Sequence, residues 1–238
     1  MPTILGLKIK IFADGADYES MIALYTQPHI KGFTTNPTLM RKAGITDYEA
    51  FGKKILVAIP DRPISLEVFA DDFESMERQA RIIASWGGQV NVKIPVTNTK
   101  GEFSGKLISR LSKDGIRLNI TAILSLDQVK RVADALDPSA SAIISVFAGR
   151  VADTGIDPVP LMSEALKVLK PHPNAELLWA SPRELLNIFQ ADAIGTHIIT
   201  VTSDVLKKLG TVGYDLEAYS LDTVKMFYND AVASQFSI

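Results

Sequence analysis

The chain has 238 residues, a formal net charge of −2, an apolar share of 47% and no cysteine. This composition excludes a disulfide scaffold and thiolate chemistry, gives no electrostatic case for nucleic acid or an anionic membrane, and is too apolar for a disordered chain. No apolar run approaches the ~20 residues of a spanning helix, and Lys8 and Lys10 interrupt the first ten residues in a way a secretory leader is not interrupted, so the cytoplasm is the expected location.

Runs rich in Val, Ile and Phe, bounded by Gly, Pro, Asp or Asn, predict strands at 8–13, 30–34, 64–69, 90–95, 117–123, 142–147, 176–179 and 197–201. Between them, apolar residues recur at helical spacing. Phe73, Met76, Ala80 and Ile83 mark a helix over 72–86. Leu107 and Leu111 lead into Lys113-Asp114-Gly115, a helix closed by a glycine cap. Val129, Val132, Ala133 and Leu136 share one face over 126–136, and further helices are expected over 161–169, over 183–190, from Ser203, and over 216–236. Eight strand–helix units in this length fit an α/β fold with a single (β/α)8 TIM barrel over 1–238, in which 216–238 forms an additional C-terminal helical arm. An open doubly wound sheet is the alternative that the pattern alone allows.

Polar residues inside the strands carry the functional signal. In Asn91-Val92-Lys93-Ile94-Pro95, alternation turns Val92 and Ile94 toward the helices and Lys93 into the barrel. Such interiors are mostly filled by branched apolar side chains, and a charged lysine is costly to bury there. A neutral amine in a desolvated pocket is the nucleophile that forms imines with ketones; a lysine that reaches solvent or pairs with a structural carboxylate fits the pattern equally well. Neighbouring strands repeat the feature. Glu67 points opposite Leu66 and Val68, Asn119 and Thr121 alternate with Ile120, Ser145 precedes Val146, and Asp14 ends the first strand. Each could singly be a satisfied core group or a cap, but polar residues converging at strand C-termini form the active-site end of a barrel.

Ser181-Pro182-Arg183 reads as a helix start with Ser181 as N-cap, and a helix N-terminus beside an arginine is also an anion site. Gly149-Arg150 follows the sixth strand at the same end, where Arg150 either binds an anion or pairs with Asp153 on the surface. No phosphate-cradling glycine motif follows a strand, and the three histidines lack ligand spacing, so no cofactor and no metal are expected.

The segments Ala13-Asp14, Thr34-Thr35-Asn36-Pro37-Thr38, Ser65-Leu66-Glu67-Val68, Val92-Lys93-Ile94-Pro95-Val96-Thr97, Asn119-Ile120-Thr121-Ala122, Ser145-Val146-Phe147-Ala148-Gly149-Arg150 and Ala180-Ser181-Pro182-Arg183 occur in this order, each at an expected strand end. In this the chain resembles the short-chain transaldolases and the related fructose-6-phosphate aldolases, over nearly its whole length. The resemblance implies a metal-independent Schiff-base enzyme acting on sugar phosphates. Lys93 would be the covalent nucleophile and Asp14 the acid/base for the C4 hydroxyl. Glu67 and Thr121 would handle a catalytic water. Thr35, Asn36, Asn119, Ser145 and Phe147 would line the dihydroxyacetone pocket, and Arg150, Ser181 and Arg183 would hold the phosphate. Short family members associate as pentamers or decamers, so a homo-oligomer is implied, with aromatic residues of the last helix suited to docking on a neighbour. Aldolase members carry Tyr where this chain has Phe147 and Gln where it has Glu67, which favours a transferase over release of free dihydroxyacetone. A barrel that binds a sugar phosphate without turnover is the third reading, and the set Lys93, Glu67 and Asp14 argues against it. Val146, Pro182, Thr200-Val201-Thr202-Ser203 and the stretch 98–103 depart from the family pattern near where the acceptor and its anionic tail, phosphate or sulfonate, would bind.

Overall fold

The computed structural model describes residues 4–235. Eight strands, β1 (Lys10–Asp14), β2 (Ile30–Thr34), β3 (Ile64–Glu67), β4 (Val90–Pro95), β5 (Leu118–Ile123), β6 (Ala142–Val146), β7 (Ala175–Trp179) and β8 (Ile198–Thr202), form a closed barrel in sequence order. Every neighbouring pair is parallel, and β1 pairing with β8 closes the ring. Closure removes the open-sheet alternative. A ring of parallel strands needs a crossover between each pair, which is why helices alternate with strands throughout.

The helices are α1 (Tyr18–Tyr25), α2 (Pro37–Lys42), α3 (Tyr48–Ala58), α4 (Phe73–Ala84), α5 (Gly105–Lys113), α6 (Leu126–Ala135), α7 (Ala148–Ala152), α8 (Pro158–Leu169), α9 (Leu186–Ala193), α10 (Ser203–Leu206) and α11 (Leu216–Ala233). The expected helices from residue 72 onward are present, with one shifted start described below. The pattern expected over 216–236 ends at Ala233, and Phe236 lies outside the described residues. Three helices before β3 were not assigned from periodicity. In α1 only Met21 is buried, so no apolar stripe is visible; α2 spans six residues. Their starts are nonetheless written as caps: Asp17, Asn36 and Asp47 each accept a backbone N–H of the first turn, and Pro37 follows Asn36.

The main core lies between barrel and helices, with Ile94, Leu118, Ile120, Ile144, Leu177 and Val201 among its buried members. A smaller cluster fills the barrel itself: Phe12, Ile143, Leu178, Ala180 and Ile198. Phe12 fits there because β2 supplies Gly32. A Cβ at Gly32 would stand 2.6 Å from the Phe12 ring.

Candidate active site

At the C-terminal end of the strands a cavity of about 400 Å³ opens above the Phe12 layer. Its walls include Asp14 (β1), Glu67 (β3), Lys93 (β4), Asn119 and Thr121 (β5), Ser145 (β6) and Phe147, so polar residues expected to converge from five strands do so. Alternation explains the convergence. Val92 and Ile94 are fully buried against the helices, which turns Lys93 inward with 6% of its surface exposed.

The Lys93 ammonium is held on two sides. Its Nζ lies 3.0 Å from Glu67 Oε2 and donates to the Thr35 carbonyl at 2.7 Å. The register of β3 against β4 places Glu67 opposite Lys93, so strand pairing sets up the ion pair. Tyr48 on α3, which sequence reasoning missed, donates its hydroxyl to the Glu67 carbonyl at 2.7 Å and packs edge-on against Phe69. Burial pushes the Tyr48 phenol above its ordinary range, so it serves as a fixed donor that anchors the end of β3.

Asp14 faces the same cavity. Burial raises its carboxyl above the ordinary carboxylate value, against the opposing effects of the Thr34 hydroxyl and the Lys93 charge, while Glu67 adds to the rise. Thr34 donates to Asp14 Oδ1 at 2.7 Å and shares a short contact with the Thr200 hydroxyl. Both threonines line the cavity and were missed as site residues. The available signal was their position: Thr34 ends β2 two residues after the inward Gly32, and Thr200 pairs with the inward Phe12.

On the opposite wall, Ser145 donates to Asn119 Oδ1 at 2.6 Å and Asn119 Nδ2 donates to Ser65 Oγ at 3.0 Å. This relay holds the Asn119 amide between two serine hydroxyls. The Thr121 hydroxyl is buried and has no partner among the described residues. It sits where β5 bulges against β6, beside Ala122, whose φ of 63° is unusual for a side chain with a Cβ.

Several expectations change in detail. Thr35 does not line the cavity: its hydroxyl donates to the Ser65 carbonyl, and its own carbonyl holds Lys93, so it positions the lysine. Asn36 lines the cavity, but its Oδ1 caps α2 through the Leu39 N–H. Ser181 is not a helix N-cap. It adopts φ 57°, and α9 begins later, at Leu186. The cause is a close approach of backbones. A Cβ on Gly149 would stand 1.5 Å from the Ser181 carbonyl oxygen, so only glycine admits this turn, which brings Ser181 to the cavity wall.

The two arginines also differ. Arg150 lines the cavity with its guanidinium 5.5 Å from the Phe147 ring centre. Arg183 is not on the cavity wall. Its Nε donates to Asp153 Oδ1 at 2.8 Å and its Nη2 contacts Oδ2, a forked pair that holds the Asp153 carboxyl below its usual range. The ion pair considered for Arg150 is thus made by Arg183, whose planar fork matches a carboxylate.

Among the described residues, no group of three or more His, Asp or Glu side chains could hold a metal ion. Among the described residues, no helix is long and apolar enough to cross a membrane.

The family model described as Transaldolase/Fructose-6-phosphate aldolase matches residues 11–238. A protein of Dehalococcoides mccartyi named "Probable transaldolase" is 36% identical over 202 residues, covering 84% of this chain and 90% of the relative. A Methanococcus maripaludis protein of the same name is 35% identical, covering 84% and 89%. Among solved structures, 3-hexulose-6-phosphate synthase from Salmonella typhimurium superposes with a TM-score of 0.57 at 13% identity, covering 84% of this chain and 91% of that one. A 2,3-dimethylmalate lyase superposes with a TM-score of 0.57 at 10% identity, covering 98% and 86%. At such identities these structures speak to the barrel fold alone.

Proposed function

The chain belongs to the transaldolase/fructose-6-phosphate aldolase family, and we propose that it transfers a dihydroxyacetone unit from a ketose phosphate to an aldose phosphate through a Schiff base on Lys93. The observation that carries this reading is a buried lysine paired at 3.0 Å with Glu67, in one cavity with Asp14. Deprotonated Lys93 Nζ adds to the donor ketone to give a carbinolamine. Loss of the hydroxyl as water, with a proton supplied from the Glu67 and Thr121 side, leaves the protonated imine. Asp14 takes the proton of the C4 hydroxyl as the C3–C4 bond breaks. An aldehyde departs, and the bonding electrons pass into an enamine on Lys93. The enamine attacks the acceptor aldehyde, the new alkoxide takes its proton back from Asp14, and water releases the product. Asn119, Ser145 and Asn36 would hydrogen-bond the hydroxyls of the transferred unit.

Phe147 favours transfer over release. Free dihydroxyacetone requires a proton on the enamine carbon, and a phenyl ring neither supplies nor orients one. Donor cleavage should therefore be slow without acceptor and much faster with erythrose 4-phosphate. Phe147→Tyr should raise dihydroxyacetone release relative to transfer. Measuring dihydroxyacetone with and without acceptor in both proteins tests this, and rapid acceptor-independent release by the unaltered enzyme would assign it as an aldolase.

The anionic tail would be held chiefly by Arg150. Arg150→Ala should raise KM for phosphorylated substrates about ten- to hundredfold, as expected for loss of a charge-assisted bond. Arg183→Ala should have a smaller effect, because Asp153 already occupies its guanidinium. Equal effects of the two variants, or equal losses for unphosphorylated substrates, would reverse the assignment.

None of the residues of α11 is buried, while Leu216, Tyr219, Val224, Phe227, Tyr228 and Val232 are all at least half exposed. A second copy of the chain would cover this surface, consistent with a homo-oligomer. Sedimentation at micromolar concentration should show an oligomer, and Phe227→Asp with Tyr228→Asp should dissociate it. A monomeric unaltered protein would refute the assembly.

A further inference from the structure

The alternation that lifts Asp14, Lys93 and Asn119 into the upper cavity places the residues two or four positions earlier on the same inward face near the barrel's N-terminal mouth. These are Lys10 on β1, Asn91 on β4 and Arg117 just before β5, joined by Glu176 on β7 and by Lys31 of β2. They line a second cavity, of about 490 Å³, at the opposite end from Lys93. Phe12 and Ile143 line it too, and both pack with Leu178, which lines the upper cavity, so one apolar layer separates the two spaces.

The charges in this lower cavity do not balance. Glu176 accepts from Lys10 at 2.7 Å. Lys31 donates to the Pro28 carbonyl and Arg117 to the Gly88 carbonyl, neutral acceptors, and neither cation pairs with a carboxylate among the described residues. Nearby carboxylates are engaged elsewhere: Asp192 accepts the N–H groups of Lys8 and Ile9, and Asp61 accepts the Tyr25 hydroxyl. Asn91 is 7% exposed and lines the cavity. The Arg117 guanidinium and the Lys31 ammonium, with the Lys10 ammonium and the Asn91 amide beside them on the same wall, are complementary to a small multivalent oxyanion.

We propose that the N-terminal mouth of the barrel is a binding site for a small phosphate-class anion, inorganic phosphate or a phosphate monoester, built from Lys10, Lys31, Asn91 and Arg117 and separate from the site of covalent chemistry. Phosphate is held there by charge and by the Asn91 amide, with no covalent step.

The test is calorimetric titration of inorganic phosphate, at constant ionic strength set by chloride, into the full-length Arg150→Gln protein, in which the main anion contact of the upper cavity is removed. Binding should persist in that protein. It should weaken roughly tenfold or more when Lys31→Gln and Arg117→Gln are added, as expected for loss of charge-assisted bonds. Lys31→Gln alone, an exposed position that tolerates replacement, should weaken it by a smaller factor. Amide NMR shifts in the Arg150→Gln protein should cluster at residues 10, 31, 91 and 117, a readout that stands even if the multiple variant does not fold. Absence of binding to Arg150→Gln, binding unchanged by the lower-mouth substitutions, or shifts confined to the Lys93 end would overturn the proposal. Comparing inorganic phosphate with glycerol phosphate separates the free anion from an ester as the preferred form.

Discussion

Lys93→Met should abolish turnover, lowering kcat by roughly four orders of magnitude or more, the scale seen when the nucleophile of a covalent mechanism is removed. Methionine keeps the length and most of the volume of the side chain, so the barrel interior stays filled, while the amine that forms the imine is gone. Borohydride in the presence of a ketose phosphate should trap a dihydroxyacetone adduct on Lys93 of the unaltered enzyme and none on the variant, read by peptide mass spectrometry. An adduct on another lysine, or turnover within tenfold of normal, would remove the central claim. The substitution also strips Glu67 of its partner. Breaking a buried ion pair from one side costs about 3–5 kcal/mol when the pair is fully sequestered. Glu67 retains some access to the cavity, its side chain being 16% exposed, so the loss should fall below that range. Thermal unfolding separates this stability effect from the chemical one, and a folded but inactive protein is the expected outcome.

Asp14→Asn should reduce transfer about 10²- to 10⁴-fold, the usual contribution of a positioned general base, with little change in donor affinity. Because burial raises the Asp14 carboxyl, the acid limb of the unaltered enzyme's kcat/KM profile should lie above the ordinary carboxylate range, and the residual activity of the variant should lack that limb. The same shift has a consequence for stability. A carboxyl whose folded-state pKa lies above its unfolded value is unfavourably ionised in the folded protein. Its stability contribution is present at low pH and lost as pH rises through the folded-state value. Removing the charge should therefore raise the melting temperature at neutral pH while activity falls, a trade common where a site carries a buried charge for function. A variant that keeps its activity within a few fold, or that melts lower at neutral pH than the unaltered protein, would show that Asp14 is structural. Schiff-base trapping should survive in this variant, which distinguishes loss of carbon–carbon cleavage from loss of the imine.

Much of the barrel was legible because a parallel strand buried on both faces leaves a short apolar run, and because period-2 alternation inside such a run separates the barrel interior from the helix side. Asn91-Val92-Lys93-Ile94-Pro95 and Leu118-Asn119-Ile120-Thr121 announced their inward side chains in one dimension. The early helices were harder to read. α1 lacks an apolar stripe and α2 is short, so their signal lay in capping residues such as Asp17 and the Asn36-Pro37 pair. Local alternation, cap chemistry and the order of the segments are properties of neighbouring residues, and the sequence by itself determined them: the strand–helix alternation, the inward lysine, and the family to which the chain belongs. Contacts between strands far apart in the chain depend on register and on closure, and only the tertiary structure decided those. Pairing of β3 with β4 sets Glu67 beside Lys93, and closure of β1 on β8 brings Thr200 to the Thr34–Asp14 pair. The approach of Gly149 to the Ser181 carbonyl replaces an expected N-cap with a left-handed turn, and Asp153 takes Arg183 while Arg150 faces the cavity. In each case the partners lie far apart along the chain, and the pairing of strands in the closed barrel brings them together.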